Sequence, residues 1–151
     1  MKLNYDNILK EVKRIVRKYI KNDRPIGLAI SYFDPRVGAY WVSGGNYIVL
    51  NGNIISAMDA WGRTQNEKEA LVKVLLTHEY IHSLGYEDEM LTRKITSKII
   101  EKEDGKESLE YELSEKGPWE IFPFIVSYPY HSDQRIEIVG NFDSESTDYI
   151  M

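Results

Sequence analysis

Two histidines and a glutamate within five residues carry the strongest chemical signal in this sequence of 151 residues. They lie in the run His78-Glu79-Tyr80-Ile81-His82, which reads H-E-x-x-H. Residues four apart on an α-helix are rotated by about 40° and separated by about 6 Å along the axis, so both imidazoles project from one face and can bind one metal ion. The chain has only three histidines, which makes a chance match uncommon. The spacing therefore predicts a zinc site on a helix.

Glu79 supplies the second part of the signal. It follows the first histidine directly, so its side chain points beside the histidine pair rather than at the metal. A carboxylate there can take a proton from water, whose pKa a zinc ion lowers to about 7. The motif thus combines two ligands with a base and predicts a zinc-dependent peptidase. The alternative is an ordinary amphipathic helix with two surface histidines and a solvated glutamate between them.

Catalytic zinc usually has three protein ligands and one open position, and two acidic residues compete for the third place. Glu89 lies four residues after Gly85, and His82 lies three residues before it. In a tight helical hairpin these two positions face each other, which favours Glu89. Asp88 instead completes the pattern H-E-x-x-H-x-x-G-x-x-D, although it could serve only as the N-cap of the next helix.

Two further candidates for the third ligand are weaker. Glu101 would lie about 18 Å beyond Glu89 along a continuous helix, out of reach of the metal unless a loop intervened. His131 is the last histidine and is flanked by Tyr128 and Tyr130. It could be a surface residue, a ligand or a donor to the oxyanion that develops during hydrolysis, and either tyrosine could be that donor.

Helical periodicity places the motif in the last turns of a long helix. This helix begins at the capping box Thr64-Gln65-Asn66-Glu67 and ends at Gly85. Asp88 can cap a second helix, which stops at Asp104-Gly105. Residues 3 to 21 form an amphipathic helix with Lys and Arg on the polar face. Shorter helices are predicted at residues 53 to 61 and 108 to 115.

Short β-rich runs lie before the long helix. They are Ile26 to Phe33, Ala39 to Val42 and Tyr47 to Leu50, and the residues between them favour turns. An antiparallel meander is therefore predicted. One more strand is expected at Arg135 to Val139, and the last dozen residues are polar and predict a surface tail.

Length and composition restrict the class of protein. The length fits a single domain over residues 1 to 151, and 42% hydrophobic with 28% charged residues is typical of a globular chain. A net charge of −5 argues against a nucleic-acid partner. The absence of cysteine excludes disulfides and thiolate ligands. No apolar run is long enough to span a membrane and no signal peptide is evident, so a cytoplasmic location without membrane attachment is expected.

Three segments together resemble the zincin metallopeptidases of the gluzincin type. They are Tyr47-Ile48-Val49-Leu50-Asn51, the long helix with its H-E-x-x-H run, and Gly85-Tyr86-Glu87-Asp88-Glu89. The sequence looks most like the minigluzincins and other small archaeal H-E-x-x-H proteins. The resemblance covers about residues 26 to 103 and is most specific between His78 and Glu89.

The resemblance implies an α+β zincin-like fold with a small antiparallel or mixed sheet, an N-terminal helix, an active-site helix and a glutamate helix. It implies that Tyr47 to Leu50 form the edge strand, which pairs with a peptide or protein substrate. It also implies that His78, His82 and Glu89 are the Zn²⁺ ligands and that Glu79 is the base. The metzincin pattern would instead use Asp88, but that family needs a methionine turn beneath the metal, and Met90 and Met151 are poorly placed for one.

The resemblance leaves other outcomes open. Members of this group can be latent, with the tail of the chain or a neighbouring molecule in the cleft. An exposed sheet edge and an apolar N-terminal helix would also allow a homodimer. A noncatalytic domain that binds zinc or a partner, and a metal-dependent hydrolase of other substrates, are the two rival hypotheses.

Overall fold

The computed structural model describes residues 3–139, and within them the chain folds as α+β, with six α-helices and a mixed four-stranded sheet. The elements are α1 (Tyr5–Tyr19), β1 (Gly27–Tyr32), β2 (Ala39–Trp41), β3 (Tyr47–Asn51), α2 (Gly52–Ala60), α3 (Gln65–Ser83), α4 (Glu89–Asp104), α5 (Leu109–Lys116), α6 (Pro118–Ile121) and β4 (Asp133–Ile138), with a 3-10 turn at Pro123–Ser127. The predicted polar tail, residues 140 to 151, lies outside the described residues. Across residues 3–139, every helix is too short or too polar to cross a membrane.

The strand order is β2-β3-β1-β4. β1 and β3 run parallel, with Gly27 opposite Tyr47, whereas β2 is antiparallel to β3 and β4 is antiparallel to β1. The predicted meander is therefore right for β2 and β3 and wrong for β1 and β2, which do not pair. The expectation that Tyr47 to Leu50 form the edge strand is also wrong, because β3 lies inside the sheet and β2 lies at its edge.

Burial explains why β3 takes the inner place. Ile48, Val49 and Leu50 are all buried, the continuous apolar pattern of a strand covered on both faces. β2 is shorter, and none of its three residues is fully buried. The continuous burial of β3 therefore suits an inner position in the sheet, and the partial exposure of β2 suits its edge.

Asn51 fixes the connection between β1 and β2. Its side chain is fully buried, and its amide nitrogen donates to the carbonyl oxygens of Phe33, Asp34 and Val37 at 3.1, 3.1 and 2.9 Å. These bonds wrap the loop of residues 33 to 38 around the end of β3. The loop therefore leads β2 to the far side of β3 and leaves the edge of β1 free for β3.

α3 is the central helix and contacts α1, α4, α5, β2 and β3. Its start is the predicted capping box, in which the Thr64 hydroxyl accepts from the Glu67 N–H at 3.1 Å and the Glu67 carboxylate accepts from the Thr64 N–H at 2.8 Å. Leu71, Val72 and Leu76 are fully buried on its inner faces. The helix that carries the motif is thus embedded in the core.

The connection from α3 to α4 is short. Gly85 has φ of +109°, a conformation that L side chains rarely adopt, and the chain reverses there. Asp88 then caps α4, since its carboxylate accepts from the Met90 N–H at 3.1 Å. The tight helical hairpin predicted around Gly85 is confirmed.

Candidate metal centre

The chemically active residues of α3 lie on the one strip of the helix that the core leaves partly open. Tyr80 and Ile81 are fully buried, whereas His78, Glu79 and His82 are half-buried, and His78 and Glu79 line a cleft. The two imidazole rings have centroids 4.8 Å apart and planes inclined at 78°. The core therefore holds the helix while its open strip presents the three polar side chains together.

Glu89, at the start of α4, completes a cluster with the two histidines. One oxygen of its carboxylate, Oε1, lies 3.0 Å from His78 Nε2 and 2.8 Å from His82 Nε2. All three ligand atoms lie within 4.8 Å of one another. Glu89 is thus the residue that the structure brings to the histidine pair.

The carbonyl of Tyr86, itself held by the Thr92 hydroxyl, fixes the orientation of His82. Its Nδ1 lies 2.6 Å from the carbonyl oxygen of Tyr86, and because a carbonyl can only accept, Nδ1 carries a proton. The Thr92 hydroxyl donates to the same carbonyl at 2.8 Å. In the neutral ring, Nε2 then presents a lone pair toward Glu89. Ring orientation by a backbone carbonyl is the usual arrangement behind a metal-binding histidine.

The donor set fits a zinc ion. When the His82 ring is neutral with its proton on Nδ1, Nε2 and the Glu89 carboxylate are both acceptors, and a cation held between them makes their close approach favourable. When Nε2 also carries a proton, it donates to the carboxylate instead. Ligands about 2 Å from a tetrahedral metal lie about 3.3 Å from one another. The nitrogen-to-oxygen distances of 2.8 and 3.0 Å are close to that value. His78, His82 and Glu89 could therefore hold zinc and leave one position open.

Burial and charge set the protonation of the cluster. Burial lowers the pKa of His78, which keeps the imidazole neutral and able to bind a metal. Partial burial of Glu89 opposes ionisation, but its hydrogen bonds to His82 and His78 hold the pKa of the carboxyl below its ordinary value. Near neutral pH the cluster thus offers a carboxylate and neutral imidazole, the forms that bind zinc.

Glu79 lies beside the cluster in a different environment. Burial raises the pKa of its carboxyl to about 7, and the nearby Glu89 carboxylate adds to the rise. The charge of His82 and a hydrogen bond from the Trp41 backbone N–H oppose it. A carboxyl whose pKa lies near neutrality can both accept and return a proton, as a general acid–base group must.

The cluster opens into a cleft of about 520 Å³. The segment from Arg36 to Ala39, which leads into β2, lines it together with residues of α4 and the end of α5. Trp119 of α6 lines the cleft as well, beside Gly38. His78, Glu79 and Glu89 all line this cleft, so the candidate metal centre is reachable from it.

The other predicted candidates lie elsewhere. The Asp88 carboxylate caps α4, and Glu101 pairs with Lys98 at 3.5 Å, three turns further along that helix. Tyr130 lies beside the ion pair of Asp34 and Arg36. Tyr128 and His131, like Tyr130, are not among the described residues that line the cleft. The structure brings Glu89, and none of these residues, to the two histidines.

Several hydrogen bonds that position the end of α3 were not predicted from the sequence. The buried Tyr80 hydroxyl donates to the Asp23 carboxylate at 3.1 Å, and Arg24 donates to the Ser83 carbonyl at 3.0 Å. These bonds tie the end of α3 to the segment before β1 and satisfy a carbonyl that the last turn leaves free. Asp23 and Arg24 lie more than fifty residues before the motif and match no local pattern, so no sequence signal identifies them.

Comparisons with known proteins add no family to this description. No protein-family model, no curated protein and no solved structure matches the chain. The geometry itself defines the class of site: two imidazoles and a carboxylate converge on one point, and a second carboxyl with a raised pKa lies beside them.

Proposed function

We propose that this protein is a zinc-dependent peptidase of the zincin type, with a gluzincin-like arrangement of ligands. The observation that carries the proposal is the position of Glu79. Its carboxyl lies next to the His78, His82 and Glu89 cluster and close enough to the Trp41 backbone N–H at the sheet edge for that group to lower its pKa. Base, metal ligands and a strand able to pair with a peptide thus meet in one cleft.

His78, His82 and Glu89 would hold the zinc ion. When bound, zinc supplies Lewis acidity, which activates water near neutral pH and polarises a carbonyl group. The Tyr86 carbonyl and the Thr92 hydroxyl keep His82 in the tautomer that binds through Nε2. Burial of His78 keeps its ring free of a competing proton.

The substrate would lie along β2. The Gly38 carbonyl accepts from the Asn51 N–H, so the alternation of an antiparallel ladder directs the main-chain groups of Ala39 and Trp41 away from β3. An extended peptide can add to such an edge through main-chain hydrogen bonds. Because the Trp41 N–H is next to Glu79, a peptide paired here would pass directly in front of the base.

Glu79 would move the proton during hydrolysis. As a carboxylate it takes a proton from the attacking water, and as a carboxylic acid it returns that proton to the amine that leaves. A pKa of about 7 suits both steps, since neither form is strongly favoured at neutral pH. Bound zinc would lower this pKa, because a nearby cation stabilises the carboxylate.

Two measurements test the proposal. Elemental mass spectrometry should find about one zinc per chain in the untagged protein and a loss of zinc in His82→Ala, as expected for a site with three protein ligands. The zinc-loaded protein should hydrolyse casein or a peptide mixture, whereas Glu79→Gln should keep its zinc and lose hydrolysis. Hydrolysis that persists in Glu79→Gln would refute the assignment of the base.

The same measurements separate the rival hypotheses. Zinc in the wild-type protein without cleavage of any peptide would favour a noncatalytic domain. If neither the wild-type protein nor His82→Ala held zinc, the cluster would not be a metal site, and the peptidase proposal would fail at its first step.

A further inference from the structure

The cleft beside the candidate metal centre is lined by basic side chains. Arg36, Arg93 and Lys116 lie on its walls. The only acidic groups among the described residues that line it are Glu79 and Glu89. Both already belong to the metal centre and its base. Beyond that centre, every charged side chain among the described residues that line the cleft is basic.

These three cations differ in their partners. Arg36 forms an ion pair with Asp34, and Lys116 pairs with Glu112 at 3.2 Å. Arg93 has no ion pair with any carboxylate of residues 3–139. It is exposed, so its guanidinium is available to a molecule that enters the cleft. Of these three cations, Arg93 is thus the one that pairs with no carboxylate among residues 3–139.

Arg93 lies close to the proposed site of hydrolysis. It lies four residues after Glu89 on α4, so both residues are on the same face of the helix. It lines the same cleft as His78 and Glu89. A ligand held by Arg93 would therefore lie within one helical turn of the metal ligands.

The guanidinium group recognises carboxylates. It is planar, remains charged at all ordinary pH values and offers paired N–H donors that match both oxygens of a carboxylate. The other charged partner it favours, phosphate, is not a regular part of a peptide. In a cleft that binds peptides, the expected partner is therefore a carboxylate.

We propose that Arg93 determines substrate specificity by binding a carboxylate of the peptide close to the bond that is cleaved. This inference rests on the proposed peptidase function. The carboxylate could belong to an Asp or Glu side chain or to the C-terminus of the peptide, since both present the same two oxygens.

The first test is a cleavage profile. A peptide library would be digested with the zinc-loaded wild-type protein, with Arg93→Gln and with Lys94→Gln, and the cut sites read by mass spectrometry. Lys94 is the matched control, because it is the next residue on α4, is exposed and does not line the cleft. We expect cuts near carboxylates to be favoured about tenfold by wild type and Lys94→Gln but not by Arg93→Gln.

The library also separates the two sources of the carboxylate. If amidation of the C-termini removes the preference, the C-terminal carboxylate is recognised, and if the preference persists, an acidic side chain is recognised. An unchanged preference in Arg93→Gln, or no preference in wild type, would overturn the proposal.

A binding measurement decides the inference even if no peptide is cleaved. Three short alanine peptides would be titrated into zinc-loaded Glu79→Gln protein, alone and combined with Arg93→Gln: a capped peptide with a central Glu, a capped peptide with a central Gln, and the Gln peptide with a free C-terminus. We expect at least one of the two peptides that carry a carboxylate to bind about tenfold more tightly than the capped Gln peptide, and Arg93→Gln to abolish most of that ratio. A ratio that Arg93→Gln leaves unchanged would refute the role of Arg93. A wild-type protein that cleaves nothing would refute only the proposed function.

Discussion

Replacement of Glu79 by Gln should stabilise the metal-free protein while it removes the base. The carboxyl of Glu79 is half-buried beside Glu89, and its folded-state pKa is raised to about 7. The folded protein therefore resists ionisation of a group that ionises readily in the unfolded chain. Gln has nearly the same shape and cannot ionise, so the substitution removes this cost.

The size of the effect follows from the pKa. A rise from the ordinary value of 4.5 to about 7 costs the folded state on the order of 3 kcal/mol, at about 1.4 kcal/mol per pH unit. The raised pKa means that this cost is absent below the unfolded-state value, grows as the pH rises and is complete above about pH 7. Because Glu79 is partly in contact with water, screening makes that figure an upper bound, and we expect a gain of about 1 to 3 kcal/mol at pH 8.

The assay is guanidinium unfolding in the presence of a chelator, followed by tryptophan fluorescence at pH 8 and at pH 5. Glu87→Gln is the matched control, because it removes one carboxylate from an exposed position close to the same site. The gain in free energy of unfolding should appear in Glu79→Gln at pH 8, shrink at pH 5 and be small in Glu87→Gln. An equal gain in both variants, or the same gain at both pH values, would show that the burial of Glu79 is not the cause.

Three other substitutions test the parts that position the site. Gly85→Ala should lower the free energy of unfolding by about 1 to 2 kcal/mol, because a φ of +109° strains any L side chain, and a thermal melt without change would contradict the described turn. Thr92→Val should weaken zinc affinity about tenfold in competition with a chelator, since it removes the hydroxyl that supports the Tyr86 carbonyl behind His82, and unchanged affinity would show that the carbonyl suffices. Asn51→Ala should cost about 2 to 4 kcal/mol in chemical unfolding, because three loop carbonyls lose their donor, and a cost below about 1 kcal/mol would mean that the loop holds its course without Asn51.

The helices could be predicted from the sequence because their signals are local. The Thr64 and Glu67 capping box begins α3 where the pattern placed it, and Asp88 caps α4. α4 ends at Asp104 with Gly105 as its C-cap, where the sequence predicted the stop. Each of these signals acts over three or four residues, so one sequence is enough to recognise it.

The order of the strands could not be predicted in the same way, because it depends on contacts between distant residues. The turn residues between the strands are compatible with a meander, and they correctly predict the hairpin of β2 and β3. What moves β2 to the sheet edge is the buried amide of Asn51, which binds carbonyls fourteen to eighteen positions earlier. Asn next to Gly otherwise favours a simple turn, so its identity does not reveal this role.

Asp88 and Glu89 are neighbours, but their positions at the start of α4 direct their carboxylates to different partners. Asp88 is the N-cap of α4, so its carboxylate turns to the Met90 N–H and is already engaged. Glu89 is the first helical residue, and side chains on a helix tilt toward its N-terminus, which here is the Gly85 turn and the end of α3. Its carboxylate is thereby directed back to His78 and His82, at 3.0 and 2.8 Å. The geometry of the cap therefore favours Glu89 over Asp88 as the third ligand of the proposed zinc site. The same cap would make a metzincin-like use of Asp88 costly, because α4 would lose the group that begins it.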